Sequence, residues 1–442
     1  MKEKSNILTA ALIIALLSVL IDIELFSFIT LNISTAELGL LFFILISIYI
    51  MDYKKIIMSY SDKFVSLKMG EKLIIIITLI ILIITSVFSP YFIEALKANL
   101  RLTAVSIFAL LFVYSWKNKY LKKRLLKKFL LIISFISTLL VGLQYIFPRL
   151  NLLMINLFAD GFANYGNSLA RPIGTTHHPN LIAWFLMAAF IYILSDKFFS
   201  NYLNNNFLLA LMLIFFFSFS IATTQSRNAW LVFIFAMGFI ILFFPLKRIK
   251  LYALSAILIL IMSIFLFFPA RTDIYSEVSA FLNSIGLENI EITRDENINK
   301  KLRNWQAEAS RLALWEAAYN IGLENPWTGV GRGVFKNVFP EYISEKNDTE
   351  WAESNLGNFY SHNLLLSSWA EFGIIATLFI MIFSIYLFVN IITLSSINLL
   401  AFFIVVLASG IFDDFSYFYI YLVYTFVFAF ILFENHKKYN LN

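Results

Sequence analysis

Three residues of this chain have the chemistry and the setting to act on a polar group at a membrane surface: His362, Arg227 and Arg311. His362 stands in Ser361-His362-Asn363, where a long polar stretch that begins at Pro269 gives way to an apolar run. An imidazole titrates near pH 6.5 in water, so one at such a boundary can serve as general base towards a hydroxyl. The competing reading is an interfacial histidine that caps a helix or holds water. Arg227 lies in a very short polar hairpin, Thr223-Thr224-Gln225-Ser226-Arg227-Asn228, between two apolar runs. A guanidinium there is costly unless paired. Its fork matches the oxygens of a phosphate or diphosphate, with snorkelling to bilayer phosphates as the alternative. Arg311 sits inside the polar stretch, four residues before Trp315. It is either a second anion contact or a solvated charge. Arg271, just past an apolar run, competes with it for the same role.

A second tier of residues could hold a substrate. Arg171-Pro172-Ile173-Gly174-Thr175-Thr176-His177-His178-Pro179-Asn180 leads into an apolar run, and Arg171 and Asn180 are its plausible contacts. Pro179 suits a helix start and Gly174 a sharp turn. Adjacent His177 and His178 point in different directions on any regular element and have no third ligand nearby, so no metal site is expected. Glu94, Lys97 and Arg101 recur at helical spacing and share one face. They form an internal ion pair or a basic strip that recruits a diphosphate. Asn363 follows the histidine, Glu371 lies inside the next apolar run, and Asp413-Asp414 is a weak cation signal. Cysteine is absent, which excludes disulfides and thiolate chemistry.

The elements that must position these residues are membrane helices. Of 442 residues 60% are hydrophobic and 14% charged, against roughly 25% charged in a soluble domain. Apolar runs lie near residues 7–29, 36–51, 73–88, 92–116, 126–147, 179–194, 207–222, 228–244, 251–268, 363–391, 397–411 and 416–433. Each approaches the length that crosses a bilayer, so the fold expected is an all-α polytopic membrane protein of about 12 spans. The first run follows Met1-Lys2-Glu3-Lys4 with no small-residue cleavage site and reads as a span, not a leader. Lysines and arginines cluster at Lys54–Lys72, Lys117–Lys128, Lys247–Lys250 and Lys437-Lys438, all on one side with the N-terminus. By the positive-inside rule that side is cytoplasmic, which puts both termini inside and the polar insert outside. The net charge of +6 resides in these loops and is no nucleic-acid signal.

Three regions follow: residues 1–268 with nine spans, 269–362 as an extracytoplasmic lid, and 363–442 with three spans and a tail. A long polar insert cannot lie in hydrocarbon, so it must fold on one membrane face. Within it Leu302, Trp305, Ala309, Leu312, Trp315, Ala318 and Tyr319 recur at three- and four-residue spacing. That predicts an amphipathic helix over 299–323, its tryptophans resting at the membrane interface. Asn325-Pro326 ends it and Gly329, Gly331 and Gly333 make an irregular loop. Residues 344–357 read as a polar, mobile segment.

Four blocks then occur in one order: Arg171 to Ala183; Thr224-Gln225-Ser226-Arg227-Asn228; Arg311-Leu312-Ala313-Leu314-Trp315 with Asn325-Pro326-Trp327-Thr328-Gly329-Val330-Gly331-Arg332-Gly333; and Ser361-His362-Asn363-Leu364-Leu365 with Glu371-Phe372-Gly373. Together, over roughly 171–375, they resemble the O-antigen ligase and O-antigen polymerase superfamily of bacterial envelope proteins. The resemblance implies a twelve-span bundle in the inner membrane with its lid between spans nine and ten. It implies an inverting, metal-independent glycosyltransferase with no cofactor. The donor would be a glycan on undecaprenyl diphosphate, passed to an acceptor hydroxyl. A flippase and a chain-length regulator are the partners such an enzyme would have beside the bilayer. His362 would be the base, Arg227 would face the diphosphate, and Arg311 would be the lid's arginine. The stretch Thr176-His177-His178 departs from the family's usual residues, so neither histidine receives a role. Polymerisation on the carrier is the leading expectation, and ligation to lipid A-core or a protein is the alternative. A transporter of lipid-linked sugars is the alternative of a different class, although no internal repeat or Gly/Pro-broken span pair supports it.

Overall fold

The computed structural model describes residues 2–21, 24–28, 31–66, 69–158, 171–176, 179–195, 206–243, 247–267, 305–343, 361–393, 397–412 and 419–439. These are helical apart from one small hairpin. The order is α1 (Lys2–Leu20), β1 (Glu24–Phe28), β2 (Leu31–Ser34), α2 (Thr35–Ile50), α3 (Tyr53–Ser66), α4 (Met69–Val87), α5 (Phe92–Lys117), α6 (Lys123–Ile146) and α7 (Pro148–Phe158). Then come α8 (Pro179–Ser195), α9 (Phe207–Thr223), α10 (Arg227–Phe243), α11 (Lys247–Phe267), α12 (Trp305–Glu324), α13 (Phe335–Val338), a 3-10 turn (Phe339–Tyr342), α14 (Leu364–Thr393), α15 (Ile397–Phe412) and α16 (Tyr419–Tyr439).

Among the described residues four helices are long and apolar enough to cross a membrane, within Glu3–Leu20, Phe92–Lys117, Lys123–Ile146 and Leu364–Ile391. α2 and α3, bent by 98°, would make a fifth as a broken span. The other apolar helices are shorter. α4 and α14 expose Leu79, Ile83, Leu378, Ile382 and Ile385, a surface that suits lipid and not water. The architecture is that of a multi-pass helical membrane protein.

α8 occupies the centre. Every residue from Leu181 to Leu194 is buried, as expected of a helix that is apolar all round. It packs on α6, α9, α10, α15 and α16. The Phe185 ring meets Tyr424 at 4.9 Å, and Phe190 lies between Phe217 and Phe233.

The first expected run, 7–29, is not one helix. α1 stops at Leu20, and Glu24–Phe28 pairs antiparallel with Leu31–Ser34. The β-branched and aromatic residues that raise hydropathy here serve a hairpin equally well. Ser34 then caps α2: it accepts from Glu37 N–H, and its own N–H donates to Glu37 Oε2 at 3.0 Å. The same Glu37 carboxylate pairs with Arg101 of α5, so one capping box ties the hairpin, α2 and α5 together.

The insert's helix exists as α12, and of the expected stripe Ala318 is buried and Trp315 partly so, while the rest of its buried side is made of other residues. Its buried side is Ala313, Leu314, Ala317, Ala318 and Ile321, packed on Val330, Val334, Phe335, Phe339, Ala370 and Ala95. Tyr319, expected on the apolar face, is half exposed and meets the Trp369 ring edge-on at 5.2 Å. Small residues let helices approach closely, so the alanines, not the large aromatics, face the partner. The apolar side of α12 rests on the protein's own α5 and α14. Residues 344–357 lie outside the described residues.

Candidate functional site

The Thr224–Ser226 turn joins α9 to α10. Gln225 adopts φ 54°, in the left-handed region. Ser226 Oγ accepts from Ala229 N–H at 3.4 Å, which caps α10. Arg227 is the first residue of α10, where unpaired N–H groups and the helix dipole favour an anion. Its side chain lies outside what the structure describes.

Arg171 and Asn180 meet at this turn. Arg171 Nε donates to Thr224 O at 2.8 Å, and its Nη2 donates to Asn180 Oδ1 at 3.0 Å. The rest of that loop is held as firmly. Gln144 bonds both backbone groups of Gly174, at 2.8 and 2.9 Å, and Thr175 Oγ1 donates to Leu20 O at 3.0 Å. The segment 171–176 thus joins α1, α6, α8 and the turn that begins α10. This geometry makes Arg171 a brace for the backbone just before Arg227. His177 and His178 lie outside the described residues.

His362 heads α14 with φ 53°, uncommon for a non-glycine residue though less so for histidine. Both neighbours fix it. Asn363 Oδ1 accepts from Leu365 and Leu366 N–H, each at 3.0 Å, an N-cap. Ser361 Oγ donates to Asn363 O at 3.0 Å, which leaves it to accept from the Ser367 hydroxyl. Backbone strain of this kind clusters at functional sites. Asn363, expected on substrate, spends its carbonyl on the cap.

Glu371 lies further into α14 and is almost fully buried. Its Oε1 accepts from Phe335 N–H at 3.2 Å, at the start of α13. Backbone bonds complete a joint between lid and helix: Val330 N–H to Ala370 O at 2.9 Å, Gly331 N–H to Glu371 O at 3.0 Å, and Ile374 N–H to Pro326 O at 2.7 Å. α14 is kinked at Gly373, with φ 78° and ψ 175°. A Cβ on Gly373 would lie 2.3 Å from Trp327 O, and one on Gly329 would lie 2.3 Å from Glu371 C. Each glycine is required by close approach as well as by φ. Ser89, just before α5, donates to Val330 O at 2.6 Å and secures the other side of the same loop.

Gly322 and Tyr319 of α12 both meet Trp369 of α14. Arg311 lies eleven residues before Gly322 on α12. Its side chain, like Arg227's, lies outside what the structure describes. Arg271 and Asp413-Asp414 lie outside the described residues altogether.

Lys97 pairs with Glu94 at 3.0 Å and Arg101 with Glu37, so the strip expected on α5 is internally paired. Two cations of the lid escaped the sequence reading. Arg332, between Gly331 and Gly333, is buried. Lys336 on α13 is half-buried, and burial, the largest influence, pushes its ammonium below the usual lysine range. Arg101 and Lys97 push the same way, while Glu94 and Glu371 oppose them. The glycines flanking Arg332 were the available signal, because close-packed backbone buries whatever side chain it carries. Among the described residues no three His, Asp or Glu side chains stand close enough to share a metal ion.

No curated protein matches this chain. A family model described as O-Antigen ligase matches residues 210–381, the run that holds the α9–α10 turn, the lid, His362 and the Gly373 kink. Over that segment, which is less than half of its length, the chain is similar to the O-antigen ligase family.

Proposed function

We propose that this protein transfers a glycan from an undecaprenyl-diphosphate-type carrier to an acceptor hydroxyl, as an O-antigen ligase. The observation that carries this reading is the constrained geometry of His362 at the head of α14, inside the matched segment. The acceptor oxygen attacks the anomeric carbon while the bond from that carbon to the diphosphate oxygen breaks. His362 takes the acceptor's proton, and the charge that develops on the diphosphate is met by Arg227, with Arg311 or Arg271 from the insert. Attack opposite a leaving group that is already good gives inversion and asks for no metal. Arg171 and Asn180 hold the turn that starts α10, and Glu371 holds the lid to α14. Twelve spans, cytoplasmic termini and an extracytoplasmic lid in a bacterial inner membrane fit this scheme. The site then stands where no nucleotide sugar is expected and the donor must arrive on a lipid. The family description supports ligation to an acceptor such as lipid A-core more than the polymerisation expected from sequence.

The test supplies the purified protein with one lipid-linked repeat unit, with and without lipid A-core, beside His362→Ala. Product that needs both lipid A-core and His362 supports ligation. A ladder growing on the carrier alone would replace it with polymerisation. No product from any lipid-linked donor by folded protein would leave the transporter reading.

A further inference from the structure

α3 is a polar helix set across its neighbours. α2 packs on α1 and α5, both long and apolar enough to cross a membrane, and α3 leaves α2 at 98°. Asp52 starts α3 by accepting from Lys54 N–H at 3.1 Å. Ile56 is buried in the core, and the Tyr60 hydroxyl donates to Leu110 O of α5, so one edge of α3 is fixed to protein. The Tyr60 ring lies 6.3 Å from Tyr114, which stacks on Tyr120 at 6.5 Å. That row of rings leads from α3 to the turn between α5 and α6, where Lys119 and Lys122 are exposed.

The rest of α3 divides into two sides. At about 100° per residue, Tyr53, Phe64, Ile57, Val65 and Met58 fall within one arc of about 140° beside the fixed edge. Ile57 and Met58 are each 63% exposed and Val65 69%, so among the described residues nothing covers this arc. Ser61 and Lys54 interrupt it; a lysine stem can lie along apolar groups while its ammonium reaches outward. Asp62, Lys55, Ser66, Ser59 and Lys63 fill the opposite side. Lys54, Lys55 and Lys63 are all exposed. The Lys55–Asp52 contact, at 3.9 Å on the surface, holds that ammonium only weakly.

We propose that α3 is an interfacial helix that docks on an anionic phospholipid surface, its apolar arc among the outer acyl carbons and its lysines among the headgroups. With α2 upright among the spans, a helix at 98° to it lies in the plane of the bilayer and not through it. Apolar area and attraction to anionic lipid then act together, and Tyr53 at the helix start suits the headgroup level. A zwitterionic surface would satisfy the apolar arc but leave the lysines without a counter-charge. A second copy of this chain would bring the same lysines to the contact and repel. α3 lies outside residues 210–381 and takes part in no transfer step, so this surface stands or falls separately from the proposed reaction.

The chain has no cysteine, so a single one can be introduced into the full-length protein and labelled uniquely. Ile57→Cys and Val65→Cys report on the apolar arc, Asp62→Cys and Ser66→Cys on the polar side. All four positions are exposed, so the packed edge of α3 stays intact. Nitroxide-labelled protein is placed in nanodiscs of phosphatidylcholine and phosphatidylglycerol. Power saturation is read against oxygen, which concentrates in lipid, and a nickel chelate, which stays in water. Oxygen should dominate at positions 57 and 65, and nickel at 62 and 66. Headgroup preference is read from a bimane at Val65→Cys, quenched by nitroxide-bearing phosphatidylglycerol or phosphatidylcholine at equal content. Phosphatidylglycerol should be enriched about fivefold, the gain from one lysine at an anionic surface, and replacing Lys54, Lys55 and Lys63 by Gln together should at least halve that ratio. Nickel access at 57 and 65 equal to that at 62 and 66, exclusion of both reagents from the arc by a covering protein, equal quenching by the two lipids, or a ratio unmoved by the Gln substitutions overturns the proposal.

Discussion

Gly373→Ala tests whether the lid is fixed to α14 as tightly as the geometry requires. At φ 78° and ψ 175° Gly373 occupies a region almost closed to other residues, and holding alanine there costs about 1–3 kcal/mol. The added methyl would also stand 2.3 Å from Trp327 O, 2.4 Å from Trp327 C and 2.8 Å from Thr328 N. These are backbone atoms, so no side chain can swing aside. The other escape is for the lid to retreat, breaking the bonds at Val330, Gly331 and Ile374. At about 1 kcal/mol each that route costs about 3 kcal/mol. Either way the joint weakens by about 3 kcal/mol, roughly a hundredfold in its opening equilibrium. Hydrogen exchange at those three amides reads the effect directly and should accelerate by that factor, with glycan transfer falling alongside. Gly238→Ala is the control, since a Cβ there meets nothing within 4 Å. If Gly373→Ala exchanges and transfers like the unaltered protein, the joint is not what positions the lid.

His362→Ala should lower transfer about 10²–10⁴-fold, the usual contribution of a general base, in protein that still folds and inserts; near-normal turnover would remove the assignment. Arg227→Lys should be severely impaired, because an ammonium cannot fork across a diphosphate, and full activity would discard that contact. Arg171→Ala strips partners from Thr224 O and Asn180 Oδ1. A local loss of about 1–3 kcal/mol should follow, seen as faster exchange in the turn before Arg227; an unchanged turn would show that Arg171 braces nothing. Lys336 gives a pH signature. Its folded-state value lies below the ordinary 10.5, so between the two the unfolded chain binds more protons and stability rises with pH. Lys336→Met removes that gain, so its advantage in melting temperature over the unaltered protein should shrink from pH 7 to pH 10; a constant difference would contradict the shift.

Hydropathy reports contact with lipid or with other apolar groups and does not distinguish them, and that divides what could be read in this sequence from what could not. The runs 92–116, 126–147 and 228–244 appear as α5, α6 and α10 with their ends displaced by a few residues. The run 179–194 looks no different from its neighbours, yet α8 touches protein on every side while α4 faces outward. Residues 24–34 score as membrane helix because strand-forming and lipid-facing residues are the same types, and only pairing separates them. The polar α3 carries no such signal and was invisible. For the site the same logic holds. Ser361-His362-Asn363 is local, so a cap and a constrained histidine can be inferred from three adjacent residues. The Glu37–Arg101 pair, the Arg171–Thr224 brace and Lys336 beside α5 join residues 64, 53 and more than 200 positions apart. No spacing rule reaches across such intervals. Periodicity located the lid's helix, but of the expected stripe Ala318 is buried while Tyr319 is half exposed, because the partner, α14 with its Gly373 kink, chose the alanine face. A lid fitted by backbone bonds and glycines to one helix therefore holds its cations by shape. Its charge pattern should then tolerate substitution away from the seam and resist it at Gly329, Gly373 and Glu371.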